Sequence, residues 1–213
     1  MSEDRLKRVL ADIDAANAED PRRDVLDGEE LPFEVVYSRR MLKRLEQMYP
    51  DAPETLKIAA YGQHVRRFDI PRSDYPEGRK GYNQWRKACR EHHAKVLGEI
   101  MARHGYSDEE IAEVQKLVRK EQLKKDPLSQ ALENVVDVVF VEHYLEPFIQ
   151  KYSHYDEDKL VDIVAKTLLK MSPKGHRAAL ALNLPEAHRR LIEKAIERVK
   201  DRLEKLADPA LDW

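Results

Sequence analysis

Three side chains that can bind a metal ion or move a proton stand among apolar residues in this sequence: His64, His93 and Asp137. A polar group on an apolar helix face needs a partner or a site, because burying it unpaired is costly. Imidazole nitrogens and carboxylate oxygens are ligands for zinc, manganese and iron. The three residues therefore predict a shared pocket that holds one divalent metal ion (Zn, Mn or Fe).

The neighbouring histidines 92 and 93 cannot both face that pocket well, since adjacent residues point about 100° apart on a helix. His93 shares a face with Cys89, Leu97 and Ile100 and is expected to point inward, although His92 also has an apolar neighbour. A single inward histidine is more often a hydrogen-bonded core residue than a metal ligand. From the sequence, the choice between the two histidines stays open.

Asp137 lies within the apolar segment 135–141, and Glu133 precedes it by one turn on the same helix face. A buried carboxylate needs a cation, a metal ion or a proton. The two acids and His64 are the candidate catalytic residues. The alternative for Asp137 is a structural ion pair with an arginine of another helix.

Guanidinium groups and aromatic rings alternate between residues 66 and 86. Guanidinium forks match phosphate oxygens, and flat rings can stack on a base, so the pattern predicts a site for a nucleotide or a sugar phosphate. The alternative is a solvated loop anchored by its aromatic residues. Lys166 and Lys170, on a later helix, belong to the site only if the helix face that carries them borders the same pocket. The predicted ligand-binding residues are Arg66, Arg67, Arg72, Tyr82, Trp85, Arg86, Lys166 and Lys170.

The composition predicts which elements position these side chains. The 213 residues include only 7 glycines, and 42% are hydrophobic, so the chain can fold and favours helix. Charged residues make up 37%, and the formal net charge is -2, which gives no overall positive field for bulk nucleic acid. The one cysteine, Cys89, excludes an internal disulfide.

Hydrophobic periodicity predicts an all-α protein that forms a single domain over residues 1–213. A polar linker is expected at 18–32 and a loop at 68–80. Ser107 is expected to cap a helix, with Glu110 completing a capping box. The predicted helices are 3–17, 34–48, 54–67, 82–104, 107–123, 127–151, 157–171, 173–181 and 185–207. Those expected to share one core are 34–48, 54–67, 82–104 and 127–151.

No segment of the sequence predicts a membrane span. The longest apolar run, 135–141, contains an aspartate and is too short to cross a bilayer. The N-terminus is acidic and lacks an apolar signal core. We therefore expect a soluble, cytoplasmic protein, and the amphipathic helix 185–207 offers a surface for a homodimer or another partner.

Several segments resemble, in order, the metal-binding helices of HD-domain phosphohydrolases. The segment 37–41 is similar to the first of these helices, with Tyr37 where the family has a histidine. The segment 59–65 is similar to the second, with Gln63 and His64 at the His-Asp pair. The resemblance implies a metal that activates water, with some of the usual ligands replaced.

The later part of the resemblance places Lys120 near a ligand histidine and Asp137 at the final aspartate. A lysine there would repel a cation and could hold a phosphate instead, which adds Lys120 to the predicted ligand-binding residues. The implied fold is an HD-like helical bundle over about 34–151, with helical extensions at both ends, including the helices of 157–207.

The whole chain is also similar to domain-of-unknown-function family 4202. The segments that carry this resemblance are Gln63-His64, Ile70-Pro71-Arg72, Gly81-Tyr82, Trp85-Arg86 and Leu132-Glu133. The sequence thus predicts an HD-like protein that binds, and can hydrolyse, a phosphorylated small molecule such as a nucleotide. The alternative is a non-catalytic HD-like module for ligand binding or protein interaction.

Overall fold

The computed structural model describes residues 2–212, without the side chains of Ser2, Glu3 and Pro209. Helices account for 72% of the chain, which confirms the all-α prediction apart from a small two-stranded sheet. No helix among the described residues is long and apolar enough to cross a membrane.

Two compact units divide the chain at residue 121. The single domain over 1–213, and the sharing of one core by 127–151 and the earlier helices, stay predictions. The first unit contains α1 (Ser2–Asn17), β1 (Arg23–Leu26), β2 (Glu29–Pro32), α2 (Phe33–Met48), α3 (Glu54–Tyr61), α4 (Gly78–Arg103) and α5 (Asp108–Val118). The second contains α6 (Pro127–Val139), a π-helical turn (Phe140–Tyr144), α7 (Leu145–Lys151), α8 (Glu157–Leu168), α9 (Pro173–Leu180) and α10 (Glu186–Leu206).

The core of the first unit is built where α4 packs along α5 and α1, and where α3 packs against α2 and α5. Its side chains include Ile13, Met41, Ile58 and Leu97, each 0% exposed. Burying a side chain of this size contributes about 1.5–3 kcal/mol to folding, so this core is what holds the turns between the helices in place.

A β-hairpin replaces most of the polar linker that the sequence predicted at 18–32. Strands β1 and β2 pair antiparallel, with Leu26 opposite Glu29. The two turn residues, Asp27 and Gly28, have φ values of 51° and 85°. Asp-Gly is a preferred pair for a two-residue hairpin turn of this hand, so the linker prediction was wrong for 23–32.

The base of the hairpin is closed by charged groups. The Asp20 carboxylate accepts from Nε and Nη2 of Arg22, at 3.0 and 2.8 Å, and from the backbone N–H of Glu34 at 3.2 Å. The residue before α2, Pro32, makes no side-chain cap. Asp20 therefore satisfies an amide of the first turn of α2 from across the hairpin.

α3 ends at Tyr61 rather than at the predicted residue 67, because Gly62 begins a series of tight turns. A Cβ atom on Gly62 would lie 2.3 Å from Cδ2 of Leu97, so only glycine allows α4 this close. Arg66 completes the change of direction with φ at 51°. The polar pair Gln63-His64 consequently lies on a turn and not on a helix face.

In the second unit, α8 packs against α10, and α6 packs against α9. The side chain of Asn134, on α6, donates to Ser172 Oγ at 2.7 Å and accepts from the Ser172 N–H at 2.9 Å. Ser172 precedes α9, so this pair of hydrogen bonds fixes the start of α9 against α6. The predicted helices 173–181 and 185–207 are confirmed as α9 and α10.

Candidate functional site

His64 is held in the turn that follows α3. The backbone N–H of Arg66 donates to Oδ1 of the fully buried Asn17 at 2.9 Å. This hydrogen bond stabilises the left-handed conformation of Arg66, two residues after His64. The His64 ring stacks on Tyr37 of α2, with centroids 4.0 Å apart and an interplanar angle of 11°. The His64 side chain is 22% exposed, so one edge of a fixed imidazole reaches the surface.

Charged groups lie at both nitrogens of His64. Nη1 of Arg67 is 2.8 Å from Nε2, and Oε2 of Glu34 is 3.4 Å from Nδ1. The first distance is a hydrogen bond, whereas the second is a contact that lacks hydrogen-bond geometry. Because a guanidinium can only donate, Nε2 accepts and Nδ1 of the neutral ring carries the hydrogen.

Burial lowers the pKa of His64 well below its ordinary 6.5, and the cations Arg67, Lys120, Arg22 and Arg86 lower it further. The ring is therefore neutral at physiological pH. Because Arg22 is paired with Asp20 and Glu34, the positive charges that favour an anion near His64 are those of Arg67, Lys120 and Arg86.

Glu34 is 0% exposed, and burial raises the pKa of its carboxyl, although Arg22 opposes the shift. Its Oε1 accepts from Nη2 of Arg22 at 2.7 Å. Glu34 thus connects the base of the hairpin to His64. The sequence prediction missed Glu34 and Arg22. The available signal was an acid at the first position of the buried stripe that continues through Tyr37 and Met41 on α2.

Arg67 is oriented by two contacts. Its guanidinium carbon lies 4.6 Å from the centroid of the Trp85 ring, and Trp85 Nε1 donates to the Ile70 carbonyl at 2.8 Å. With Nη1 directed at His64, the Nε and Nη2 groups of Arg67 form a fork without a hydrogen-bond partner among the described residues. Such a fork matches two oxygens of a phosphate or carboxylate.

Tyr82 and Arg86 extend this surface along α4. Tyr82 is 43% exposed, and its ring centroid lies 5.7 Å from that of Trp85. The guanidinium carbon of Arg86 lies 5.8 Å from the Tyr82 ring centroid. The structure therefore brings together four of the predicted ligand-binding residues in the first unit: Arg67, Tyr82, Trp85 and Arg86. The charge of a fifth, Lys120, acts on His64.

The other predicted arginines of this segment bind groups of the protein itself. Arg66 pairs with Asp69 at 2.7 Å and with Glu19 at 2.9 Å. Arg72 donates to the carbonyls of Tyr75 and Pro76 at 2.8 and 2.9 Å. Their guanidinium groups stabilise the chain between α3 and α4, which leaves fewer donors for a ligand than the sequence count suggests.

His93 points into the protein and is 1% exposed. Its Nδ1 donates to the Val65 carbonyl at 2.8 Å, and its ring centroid is 6.0 Å from that of His64. Burial lowers the pKa of His93 to about 3, so this ring is also neutral. His92, by contrast, faces the surface and lies 3.0 Å from Asp69, which decides which of the two histidines is internal.

A cavity of about 330 Å³ also lies in the first unit. Arg66, Lys95 and Arg103 supply positive groups to its wall, and Asp12 and Glu99 supply negative ones. His64 and Arg67 do not line it. The cavity and the cluster around His64 are therefore separate features.

The predicted residues of the second unit meet around Lys170. Its Nζ lies 2.9 Å from Oε1 of Glu133 and contacts Oδ1 of Asp137. Burial alone would lower the pKa of Lys170, but the two carboxylates outweigh it and raise the pKa. Asp137 thus has the structural ion pair that the sequence left open, with a lysine in place of an arginine. Lys166 is exposed on α8.

Two of the predicted metal ligands, His64 and Asp137, contact cationic side chains in this structure. A guanidinium occupies Nε2 of His64, and an ammonium group contacts Asp137. Within residues 2–212, no group of three or more His, Cys, Asp or Glu side chains could hold a metal ion. The metal site at His64, His93 and Asp137 stays a prediction.

Comparison with known proteins gives one result. The family model described as Domain of unknown function (DUF4202) matches residues 7–192. The chain belongs to this family. The matched segment includes the hairpin, the cluster around His64 and the Lys170 ion pairs. Searches of curated proteins and of solved structures each found no match.

Proposed function

We propose that this DUF4202 protein binds a phosphorylated small molecule, such as a nucleotide, at the surface beside His64 in the first unit. One observation carries the proposal: Arg67 is fixed between Trp85 and His64, with its remaining fork of donors unpaired among the described residues. Lys120 and Arg86 add positive charge near the same ring.

The phosphate and the base of a nucleotide each have a counterpart there. The fork of Arg67 would donate to two phosphate oxygens, and Arg86 would add a second cationic contact. The exposed ring of Tyr82 offers a face on which a base could stack, since one face of the neighbouring Trp85 is already covered by Arg67. Lys166 and Lys170 belong to the second unit, and their share in this site stays a prediction.

Binding without hydrolysis is the form of this function that the geometry supports best. The guanidinium of Arg67 already occupies the Nε2 lone pair through which His64 would bind a catalytic metal ion. The ring is therefore not arranged to hold one. The HD-type arrangement of the helices and a phosphohydrolase activity using His64, Glu133 and Asp137 remain proposals based on sequence resemblance.

The test is isothermal titration of nucleotides and sugar phosphates, with and without manganese, zinc or iron, following a thermal-shift screen. Arg86→Ala should weaken binding about ten-fold, the value of one charge-assisted contact. Arg103→Ala is the matched control, because Arg103 is also exposed on α4 but lies about 25 Å further along the helix than Arg86. Removing Arg103 should leave affinity within about two-fold, since an exposed charge far from the site contributes little.

Two outcomes would reject the proposal: no phosphate compound binds the wild type, or both arginine variants lose affinity equally. Turnover that requires an added metal ion, and that Asp137→Asn abolishes, would instead favour the enzyme. A homodimer through α10 and a cytoplasmic location also stay predictions. Light scattering of the purified protein tests the first of them.

A further inference from the structure

We infer that Glu34 is a positioning residue: it fixes the tautomer of His64, and His64 in turn fixes Arg67 for an oxyanion ligand. The inference rests on the proposed function for the identity of that ligand. Its structural part concerns only the order in which Glu34, His64 and Arg67 hold one another, and it can be tested without any ligand.

The first step is the hydrogen on the His64 ring. Arg67 approaches Nε2 at 2.8 Å and has only donors, so Nε2 must present its lone pair. In a neutral imidazole the hydrogen is then on Nδ1, which faces Oε2 of Glu34 at 3.4 Å. A carboxylate oxygen can only accept, so Glu34 favours the same tautomer that Arg67 requires.

The second step is the fixed orientation of Glu34. Its Oε1 is engaged by Arg22 at 2.7 Å, and its backbone N–H by Asp20 at 3.2 Å. Arg22 is itself held by two hydrogen bonds to Asp20. The carboxylate therefore cannot rotate away without breaking these contacts, and Oε2 is the oxygen left for His64.

The third step is the consequence for Arg67. With its guanidinium face on Trp85 and Nη1 on His64, the side chain is already oriented before a ligand arrives. A preorganised donor loses less side-chain entropy on binding, so the affinity for a phosphate or carboxylate group depends on His64 presenting its lone pair. Glu34 would thus act on a ligand it does not touch.

The variant Glu34→Gln tests the chain of contacts without changing the volume of the side chain. Arg22 would take the amide oxygen, which turns the NH₂ group toward Nδ1 of His64. That donor requires a lone pair on Nδ1, so the hydrogen moves to Nε2 and faces the donors of Arg67. This parallels the wrong-tautomer effect of replacing an aspartate beside a catalytic histidine.

The experiment is nitrogen-15 NMR of the His64 ring, in the ligand-free protein and at neutral pH, for wild type and E34Q. We expect the hydrogen on Nδ1 in the wild type and on Nε2 in E34Q. Affinity for the best phosphate compound of the screen should fall about ten-fold in E34Q, the value of one lost charge-assisted contact. Glu30→Gln, on the exposed strand β2, is the matched control for loss of one negative charge and should change neither reading.

The outcomes separate the two claims. A wild-type ring with the hydrogen on Nε2, or an unchanged tautomer in a folded E34Q, would overturn the inference whatever the ligand result. The expected tautomers without binding of any phosphate compound to the wild type would support the positioning contacts and reject the proposed function. A thermal melt of E34Q checks that the variant is folded.

Discussion

The guanidinium carbon of Arg67 lies over the ring of Trp85, 4.6 Å from its centroid. The contact joins the short 3₁₀ turn after α3 to the start of α4. It also explains why an arginine outside any long helix has a defined direction. Since a cation over an aromatic ring is worth about 0.5–2 kcal/mol, the contact can be measured through the affinity of the site.

We expect Trp85→Leu to weaken phosphate binding by about 2- to 30-fold, the range that corresponds to loss of the cation–π contact. Both variants lose the hydrogen bond to the Ile70 carbonyl, but Trp85→Phe keeps an aromatic face for Arg67. Its effect on affinity should therefore be smaller than that of Trp85→Leu. Titration calorimetry of both variants gives the comparison. Equal affinities of Trp85→Leu and the wild type would show that Arg67 does not need this support.

Lys170 is expected to stabilise the second unit through the two carboxylates that it joins. Glu133 and Asp137 have side chains only 4% and 3% exposed, whereas that of Lys170 is 40% exposed. Removing the cation of a fully buried pair costs about 3–5 kcal/mol. Because solvent screens this lysine, we expect Lys170→Met to lower the free energy of unfolding by about 1–3 kcal/mol.

The control for Lys170→Met is Lys166→Met, which removes an exposed lysine of α8 and should change stability by no more than about 0.5 kcal/mol. Urea unfolding followed by circular dichroism measures both variants. If the two methionine variants have the same stability, the ion pairs with Glu133 and Asp137 contribute nothing measurable.

His93 should make stability depend on pH. Its pKa is about 3 in the folded protein and 6.5 ordinarily, so between these values the unfolded chain binds a proton that the folded chain excludes. The free energy of unfolding therefore rises with pH across this window, by up to about 1.4 kcal/mol per pH unit from this residue. This contribution is fully present above pH 6.5 and is lost as the pH falls to about 3.

The variant His93→Gln should flatten that slope, because an amide can still donate to the Val65 carbonyl but does not titrate. His92→Gln removes the neighbouring surface histidine and should leave the slope as it is. Urea unfolding between pH 4 and pH 7 gives both slopes. An unchanged slope in His93→Gln would mean that other groups cause the acid sensitivity of the protein.

Gly62→Ala should destabilise the first unit, because the added Cβ would lie 2.3 Å from Cδ2 of the buried Leu97. Overpacking of this kind costs about 1–3 kcal/mol. Leu97→Val removes the δ carbons, so it should relieve part of the cost when combined with Gly62→Ala. A double-mutant cycle measured by thermal unfolding tests this, and strictly additive effects would contradict the close contact.

Local signals predicted the helix ends well where one residue decides them. Ser107 and Glu110 form the expected capping box, with the Ser107 hydroxyl accepting from the Glu110 N–H at 3.2 Å. Gly105 ends α4 with φ at 76°, as a C′ glycine does. The ends of α3 and α5 were placed too late. The predicted helix 54–67 ran through Gly62, where α3 in fact stops, whereas the left-handed residue after α5, Lys120, gives no glycine signal.

The candidate site was predictable only in part, because side chains distant in sequence build it. His64 and the aromatic–arginine segment stood out through their own residue types. The role of Glu34 depends on Arg22, which reaches it only because the hairpin folds back on α2. The same limit applies to Asp137, whose partner Lys170 lies 33 residues away. The hydrophobic periodicity of one helix or strand cannot reveal a partner that lies in another element.

Arg22 joins the carboxylates of Asp20 and Glu34, which are 1% and 0% exposed. A family member that lost Arg22 alone would keep two neighbouring carboxylates buried without the cation that pairs with them. Substitutions at positions 20, 22 and 34 should therefore occur together among relatives, and residues of the hairpin turn should vary independently of them. The three positions would then change together during evolution, although strands β1 and β2 separate positions 20 and 22 from position 34 in the sequence.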